Sequence, residues 1–429
     1  MSNSAVVGGS WRSSPRAAVA LLLAINLVNY VDRYVLAAVV PRLRGEFFPP
    51  GSSAVDEELG SLALAFMASY MIAAPVFGWL ADRWSRWIIV GLGVIFWSLA
   101  SGASGLASSF TLLLITRAFV GIGEAAYGPA APTILSDLYP VERRGSVLAW
   151  FYMAIPVGSA LGYTFGGMVA EHWHWRWAFY LSVPPGLLLG AWALLMRDPP
   201  RGAAEADVAP VTRSPGWSDY AILLKTPSYV FNTSGMTAST FAIGGIAYWM
   251  PDYIHTFRRA GELGDVSFRF GAITAVAGLA STLAGGYLGD RLRSRYAGSY
   301  FLVSGLGMLV GAPLFLAVLV APFPFAWVLI FLTEFCLFFN TGPSNTILAN
   351  VVPPALRATG FAVNIFVIHA LGDAVSPQII GRINDSSGGD MNVGFAAVTA
   401  AMIVSGIFWT LGAKHLERDT ARAPTRLCE

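Results

Sequence analysis

Gly78-Trp-Leu-Ala-Asp82-Arg83-Trp-Ser-Arg86 closes one long apolar run and leads into the next. In the second part of the chain the pattern returns as Gly286-Tyr-Leu-Gly-Asp290-Arg291. Two more stretches recur in the same order. Gly128-Pro-Ala-Ala-Pro-Thr-Ile-Leu135 reappears, one residue shorter, as Gly342-Pro-Ser-Asn-Thr-Ile-Leu348, and Pro140-Val-Glu-Arg-Arg144 as Pro353-Pro-Ala-Leu-Arg357. Three matches in one order at nearly constant offset indicate two homologous halves.

The segments between these signatures are suited to lipid. The 429 residues are 55% hydrophobic and only 12% charged, where a soluble domain is nearer 25% charged. Apolar runs of about 20 residues recur from end to end, each long enough to cross a hydrocarbon core about 30 Å thick. A membrane β-barrel would show short alternating segments instead. The expected spans lie near 17–43, 58–81, 88–108, 111–137, 145–170 and 177–196, then near 227–256, 268–289, 298–320, 324–351, 359–384 and 393–413. The fold class is therefore an all-α membrane protein, with twelve transmembrane helices in two pseudo-symmetric six-helix bundles. Residues 1–196 form the first bundle and 227–429 the second with its tail. Between them, 197–226 reads as a cytoplasmic linker, with a short amphipathic helix over Trp217–Lys225. Parallel halves of this kind place a substrate site at their interface, near the bilayer midplane.

Basic residues in short loops set the orientation. With both termini cytoplasmic, the inner loops collect Arg83, Arg86, Arg143, Arg144, Arg197, Arg201, Arg213, Lys225, Arg291, Arg293, Arg295 and Arg357. The outer loops hold only Arg42, Arg44, Arg176, Arg258, Arg259 and Arg269. The first apolar run is too long for a signal-peptide core and carries charge, so it reads as a retained anchor. Lysine is confined to Lys225 and Lys414; this arginine-rich composition points to a bacterial inner membrane.

Several function classes drop out. Net charge is +2, which gives no case for nucleic acid. Cys336 and Cys428 supply no disulfide framework, and no Cys/His cluster suggests a metal. No phosphate-binding loop of the Gly-x-x-x-x-Gly-Lys-[Ser/Thr] type is present. The reading is a non-enzyme with no cofactor. His172 and His174 sit among Trp173, Trp175 and Trp177, an interfacial belt.

Charge inside the spans is the functional signal, because ionisable groups in lipid are costly and usually serve transport. Asn29-Tyr-Val-Asp32-Arg33 places an acid beside a base deep in the run Ala17–Val40. Arg117 and Glu124 are seven residues apart, two helical turns on one face, about 10 Å along the axis. Gly121 and Gly128 extend that face, as expected for a cavity wall or a close helix contact. The expected order from inside to outside is Glu124, Asp32, Arg33, Arg117: two acids and two bases, so that protonating either acid leaves net positive charge. Asp32 and Glu124 are the candidate proton carriers. Asn29, Arg33 and Arg117 are the candidate contacts for an anionic group.

The second half is less polar. Glu334 shares a stripe with Phe338, Thr341 and Asn345, and Thr233, Thr237 and Thr240 align with Met236. Phe331, Phe335, Phe338, Phe339, Phe361 and Phe366 add an aromatic lining, with Glu334, Phe338 and Thr237 as candidate substrate contacts. His369 and Asp373, one turn apart, read equally as a structural pair or a second protonation site. Gly78, Asp82, Arg83, Arg86, Gly286, Asp290 and Arg291 read as gating residues: Gly permits close helix approach, and the acids can hold helix ends. Gly158, Gly162, Gly166 and Gly167 are spaced for packing.

The Gly78–Arg86 run resembles the loop signature of the major facilitator superfamily between its second and third spans. Asn29–Arg33, Arg117-x-x-x-Gly-x-Gly-Glu124 and Ser136-Asp-Leu-Tyr-Pro-x-x-x-Arg144 resemble the Spinster group within it. The resemblance covers the whole chain. It implies a secondary carrier working by alternating access, with a lysophospholipid or sphingoid phosphate as substrate and a proton as coupling partner. It also implicates Asp32, Arg33, Arg117 and Glu124 in binding and coupling. A small organic anion carrier, a multidrug exporter and a non-translocating sensor are the competing readings.

Overall fold

The computed structural model describes residues 12, 14–81, 83–139, 141–200, 221–353, 356–423 and 426. Asp82, Arg201, Arg213 and the Trp217–Tyr220 part of the expected amphipathic helix lie outside the described residues. Of that helix, the short turn Ala221–Leu224 is described.

Twelve long helices follow one another: α1 Pro15–Phe47, α2 Val55–Ala81, α3 Arg86–Gly105, α4 Phe110–Leu138, α5 Val141–His172 and α6 Arg176–Leu195. The second half supplies α7 Pro227–Asp252, α8 Leu263–Arg293, α9 Ser299–Val320, α10 Phe325–Val351, α11 Thr359–Ser386 and α12 Met391–Gly412. Among the described residues, eleven segments are long and apolar enough to cross a membrane. The twelfth crossing, α7, has the length but carries Asn232, Thr233, Ser234, Thr237, Ser239 and Thr240. Its polar face is accounted for below.

Local chemistry sets several helix ends. The Ser109 side chain accepts from Leu112 N at 3.2 Å at the start of α4, and Asp390 accepts from Asn392 N at 2.9 Å at the start of α12. Each satisfies an N–H that the first turn would leave unpaired. Four spans are interrupted, α6 between Tyr180 and Val183. α4 breaks between Ala125 and Ala130, and α10 between Phe338 and Thr341. α11 has a π-helical turn over His369–Asp373, with Gly372 at φ −107°, ψ −105°. Such π-turns concentrate at functional sites.

The described chain divides into two compact units. One holds 1–36 with 65–209, the other 37–64 with 210–429. In the first unit α3 shows the membrane pattern clearly. Trp87, Val90, Val94 and Trp97 are buried, while Ile88, Leu92, Phe96 and Leu99 form an exposed apolar stripe. Trp97 meets Tyr127 edge-on with ring centroids 6.0 Å apart. Glycines bring the helices close: a Cβ on Gly158 would lie 2.6 Å from Tyr30 Cβ, and one on Gly162 2.6 Å from the Val31 carbonyl oxygen. α5 therefore packs backbone to backbone on α1, the packing role expected of Gly158 and Gly162.

In the second unit Tyr253, Phe395 and Phe315 form an edge-to-face row, with centroids 4.9 and 5.5 Å apart. Part of the polar face of α7 is spent on neighbouring helices. Asn232 Nδ2 donates to Ser344 O at 3.0 Å, Trp409 Nε1 donates to Asn232 Oδ1 at 3.0 Å, and Thr233 Oγ1 donates to Asn364 Oδ1 at 2.9 Å. These bonds pin α7 to α10, α12 and α11, which explains why α7 is less apolar than a helix surrounded by lipid.

Candidate functional site

The first unit holds a buried quartet of charges. Arg33 Nε donates to Glu124 Oε2 at 2.6 Å, with the Glu124 side chain fully buried and that of Arg33 22% exposed. Three rings surround the guanidinium. Its central carbon lies 5.2 Å from the Tyr30 ring, 5.0 Å from Phe66 and 5.4 Å from Tyr70. Ring faces attract a cation within about 6 Å of their centroids. The cage follows from spacing: Tyr30 and Arg33 are i,i+3 on α1, and Phe66 and Tyr70 are i,i+4 on α2. α4 reaches α2 because Gly121 has no side chain; a Cβ there would overlap the Phe66 carbonyl oxygen and Ser69 Oγ.

Asp32 points elsewhere. It accepts from Ser101 Oγ, which itself lies 3.5 Å from Ser182 Oγ. Its other oxygen, Oδ2, takes no hydrogen bond from a described protein group. Arg117 and Arg33 are the cations in its neighbourhood. Arg117 is buried, with its guanidinium carbon 5.6 Å from the Phe179 ring. Asn29, one turn before Arg33, is buried, and its Nδ2 has no hydrogen-bond partner among the described protein groups.

The pairing is thus crossed relative to the sequence reading. Arg33 is held by Glu124 rather than by its neighbour Asp32, which takes its hydrogen bond from Ser101. Consecutive helical residues diverge by about 100°, so Asp32 and Arg33 face different helices. Chemically, the quartet balances two acids against two bases.

The candidate residues of the second unit are dispersed. Glu334 is buried with Thr274 of α8 as its polar neighbour, and its Oε2 takes no hydrogen bond from a described protein group. Phe338 packs against Gly278, where a Cβ would sit 3.7 Å from the ring. Phe331, Phe335 and Phe339 form a row with centroids 6.5 and 5.6 Å apart. Thr237 donates to Thr233 O at 2.8 Å and lines a separate groove. His369 Nδ1 and Asp373 Oδ1 are 2.9 Å apart across the π-turn of α11.

Where α2 meets α3 and α8 meets α9, the repeated signatures have diverged. Arg86 is buried; its Nε and N–H donate to the two Asp198 oxygens at 2.9 and 2.7 Å, and it also bonds Asp137 and Pro199 O. Arg83 is exposed and lies over its own helix, 4.2 Å from the Trp79 ring. In the second copy Asp290 accepts from Tyr300 OH at 2.7 Å, and Arg291 donates to Tyr287 OH at 2.7 Å. Gly78 makes only ordinary contact, with Pro129 at 3.8 Å, and a Cβ on Gly286 would meet nothing within 4 Å. The close approaches fall at Gly285, against the Phe339 carbonyl, and at Gly289, against Tyr300.

One further charge cluster lies in the second unit, which includes the C-terminal end of α1 and the N-terminal end of α2. Arg44 bonds both Asp56 and the fully buried Asp252, the latter at 2.6 Å. Asp385 accepts from the Asp56 and Glu57 N–H groups at 3.1 and 2.8 Å. The sequence reading counted Arg44 only as an outer-loop charge. The signal it passed over was Asp56-Glu57-Glu58, three acids in the first turn of α2.

The Major Facilitator Superfamily profile matches residues 22–377. Protein spinster homolog 1 of Xenopus laevis is 40% identical over 387 residues, covering 86% of this chain and 72% of that protein. Its human counterpart, Protein spinster homolog 1, is 39% identical over 393 residues, with coverage of 86% and 72%. A solved structure of a bacterial homolog to the human lysosomal transporter Spinster, inward-facing and unoccupied, superposes with a TM-score of 0.79. It is 22% identical and covers 95% of this chain and 97% of its own.

Proposed function

The chain belongs to the Spinster family of the major facilitator superfamily, a multi-pass transporter family and not an enzyme family, and from that premise we propose that it moves a single-chain amphiphile with an anionic headgroup. A lysophospholipid or a sphingoid phosphate is the substrate class, carried by alternating access between two six-helix bundles, 1–196 and 227–429, and coupled to protons across a bacterial inner membrane with both termini cytoplasmic.

The observation that supports this reading best is the caged Arg33–Glu124 pair beside Asp32 and Arg117. A planar guanidinium suits a phosphate, which it can meet with two parallel donors. While Glu124 is ionised it competes for Arg33; a proton on Glu124 removes the competitor. The headgroup and the proton then favour the same loaded state. Asp32 plays the same part toward Arg117. Asn29 orients Glu124, and Glu334, Phe338 and Thr237 receive the less charged part of the substrate. Gly78, Asp82, Arg83, Arg86, Gly286, Asp290 and Arg291 act in gating.

The test is uptake of a radiolabelled lysophospholipid into proteoliposomes under an imposed pH gradient. Native protein is expected to respond to the gradient, Arg33→Ala to lose uptake, and Asp32→Asn to lose the response. Full gradient-driven uptake by Asp32→Asn would overturn the proton assignment. Normal uptake by Arg33→Ala would overturn the headgroup assignment. Saturable uptake of a small water-soluble anion with no response to lysolipids would replace the amphiphile.

A further inference from the structure

α7, α11 and α12 enclose a groove of about 480 Å³ on the second unit, lined almost wholly by apolar atoms. Its shape follows from side-chain size. Ala400 and Ala401 lie low between the taller Phe241, Leu371 and Val404. Beneath them α7 and α12 touch at Gly235, whose carbonyl accepts from Ser405 Oγ at 2.7 Å and where a Cβ would meet the Trp409 indole. The helices cannot close further there, and alanines leave the trough open above the contact.

The position of the groove decides what can fill it. Its walls come from the central turns of α7 and α12 and from the π-turn of α11, and they open outward through Leu371, 62% exposed, and Val404, 42% exposed. Mid-helix positions of bilayer-spanning segments lie within the hydrocarbon layer, about 30 Å thick. The surrounding medium at that depth is lipid tails. Two of the groove's three hydroxyls are already used, Thr237 donating to Thr233 O and Thr233 to Asn364, and Ser234 is the third. No charged side chain lines the trough, so it offers nothing to a headgroup. A volume of this size lies in the range of small-molecule pockets, about 300–1,000 Å³.

We infer that this groove is a binding site for one acyl chain of a bilayer phospholipid, whose headgroup stays at the membrane surface. The occupant is a resident lipid, distinct from the transported substrate. Because Leu371 belongs to the π-turn that also carries His369 and Asp373, an acyl chain in the groove packs directly on the one irregular turn of α11 and braces it.

The experiment uses full-length protein in phosphatidylethanolamine–phosphatidylglycerol nanodiscs doped with phosphatidylcholine that carries a mid-chain diazirine. After irradiation, labelled peptides are mapped by mass spectrometry. Labelling at Leu371 and Val404 is expected to exceed, several-fold, that at Leu306 and Val310, similarly exposed apolar residues of α9. Filling the trough with Ala401→Trp is expected to bring it down to the α9 level. Ala400→Leu, a milder change at an exposed position, is expected to reduce it partly and guards against a folding defect in the first variant. Labelling no higher than on α9, or unchanged in two well-folded filled variants, would overturn the site. Loss of amphiphile uptake alone bears only on the transport reading, since the labelling needs no transport.

Discussion

Arg33 and Arg44 stand on the same helix, eleven residues and about 16 Å apart along the axis, and both donate to buried carboxylates. Their surroundings differ. Around Arg33 the charges balance, Asp32 and Glu124 against Arg33 and Arg117, and three aromatic rings enclose the guanidinium. Around Arg44 the acids prevail: Asp56 and Asp252 share one cation, and Asp385 spends both oxygens on backbone N–H groups. A balanced group can exchange one partner for a ligand or a proton without stranding a charge. A cation clasped by two acids cannot be removed without leaving both uncompensated. On the proposed function the first is a site that cycles; the second fastens the C-terminal end of α1 and the N-terminal end of α2 to α7 and α11.

Removing the two cations is the strongest way to break this comparison. Arg33→Ala strands Glu124, and Arg44→Ala strands Asp56 with Asp252. Breaking a buried pair from one side costs about 3–5 kcal/mol, so both variants are expected to lose thermal stability in detergent. The paired substitution distinguishes them. Arg33→Ala combined with Glu124→Gln is expected to recover most of the stability and none of the uptake, since the headgroup partner is still missing. For Arg44→Ala, Asp252→Asn is expected to restore stability only in part because Asp56 remains charged, while amphiphile binding to the solubilised protein survives. If Arg44→Ala abolishes binding and Arg33→Ala spares it, the two roles are reversed.

The charges themselves are legible in the sequence, because an acid or base in an apolar run stands out against its neighbours. Asp32, Arg33, Arg117 and Glu124 come together in the first unit. Their partners are not legible: helical spacing tells which residues share a face, but not which helix that face meets. Hence Asp32 and Arg33, adjacent in sequence, turn to Ser101 and Glu124. The fold is visible for a related reason. Twelve apolar runs and three repeated signatures state the helix count and the duplication directly, whereas α7 falls short on apolarity because its hydroxyls and amides bond other helices. Arg44 was hidden by position. Near a span end an arginine looks like a loop charge, and only the fold brings Asp252 to it. Thr237 shows the same limit on a smaller scale, since its stripe on α7 does not reveal that it opens toward a groove with α11 and α12.

A neutral acid tests whether the balanced group responds to protons. Glu124→Gln keeps the shape of the protonated acid and cannot hold Arg33 as an anion. Binding of an anionic lysolipid by the purified variant is expected to be tighter at neutral pH, by about tenfold, equivalent to 1.4 kcal/mol, and to gain less on acidification than native protein, because Asp32 still titrates. The sign follows from linkage: if binding is tighter with Glu124 protonated, lowering pH favours the complex in native protein and has no purchase on glutamine at this position. A Glu124→Gln variant that binds no better at neutral pH, or gains on acidification as much as native protein, would leave Asp32 as the proton carrier.

The rings around Arg33 account for the smallest effect. Phe66→Leu keeps the volume roughly apolar and leaves the Arg33–Glu124 bond in place, but it removes one of three π faces. A cation–π contact contributes about 0.5–1 kcal/mol at exposed sites and about 2 where desolvated. Binding of the anionic amphiphile is therefore expected to weaken by a few-fold, with stability nearly unchanged and the response to pH intact. On the proposed function, the cage keeps the guanidinium in position while its carboxylate is exchanged for a headgroup. A loss as large as that of Arg33→Ala would mean that Phe66 touches the substrate itself. No change at all would mean that Glu124 alone positions Arg33, and that the rings serve only to pack α2 against α1.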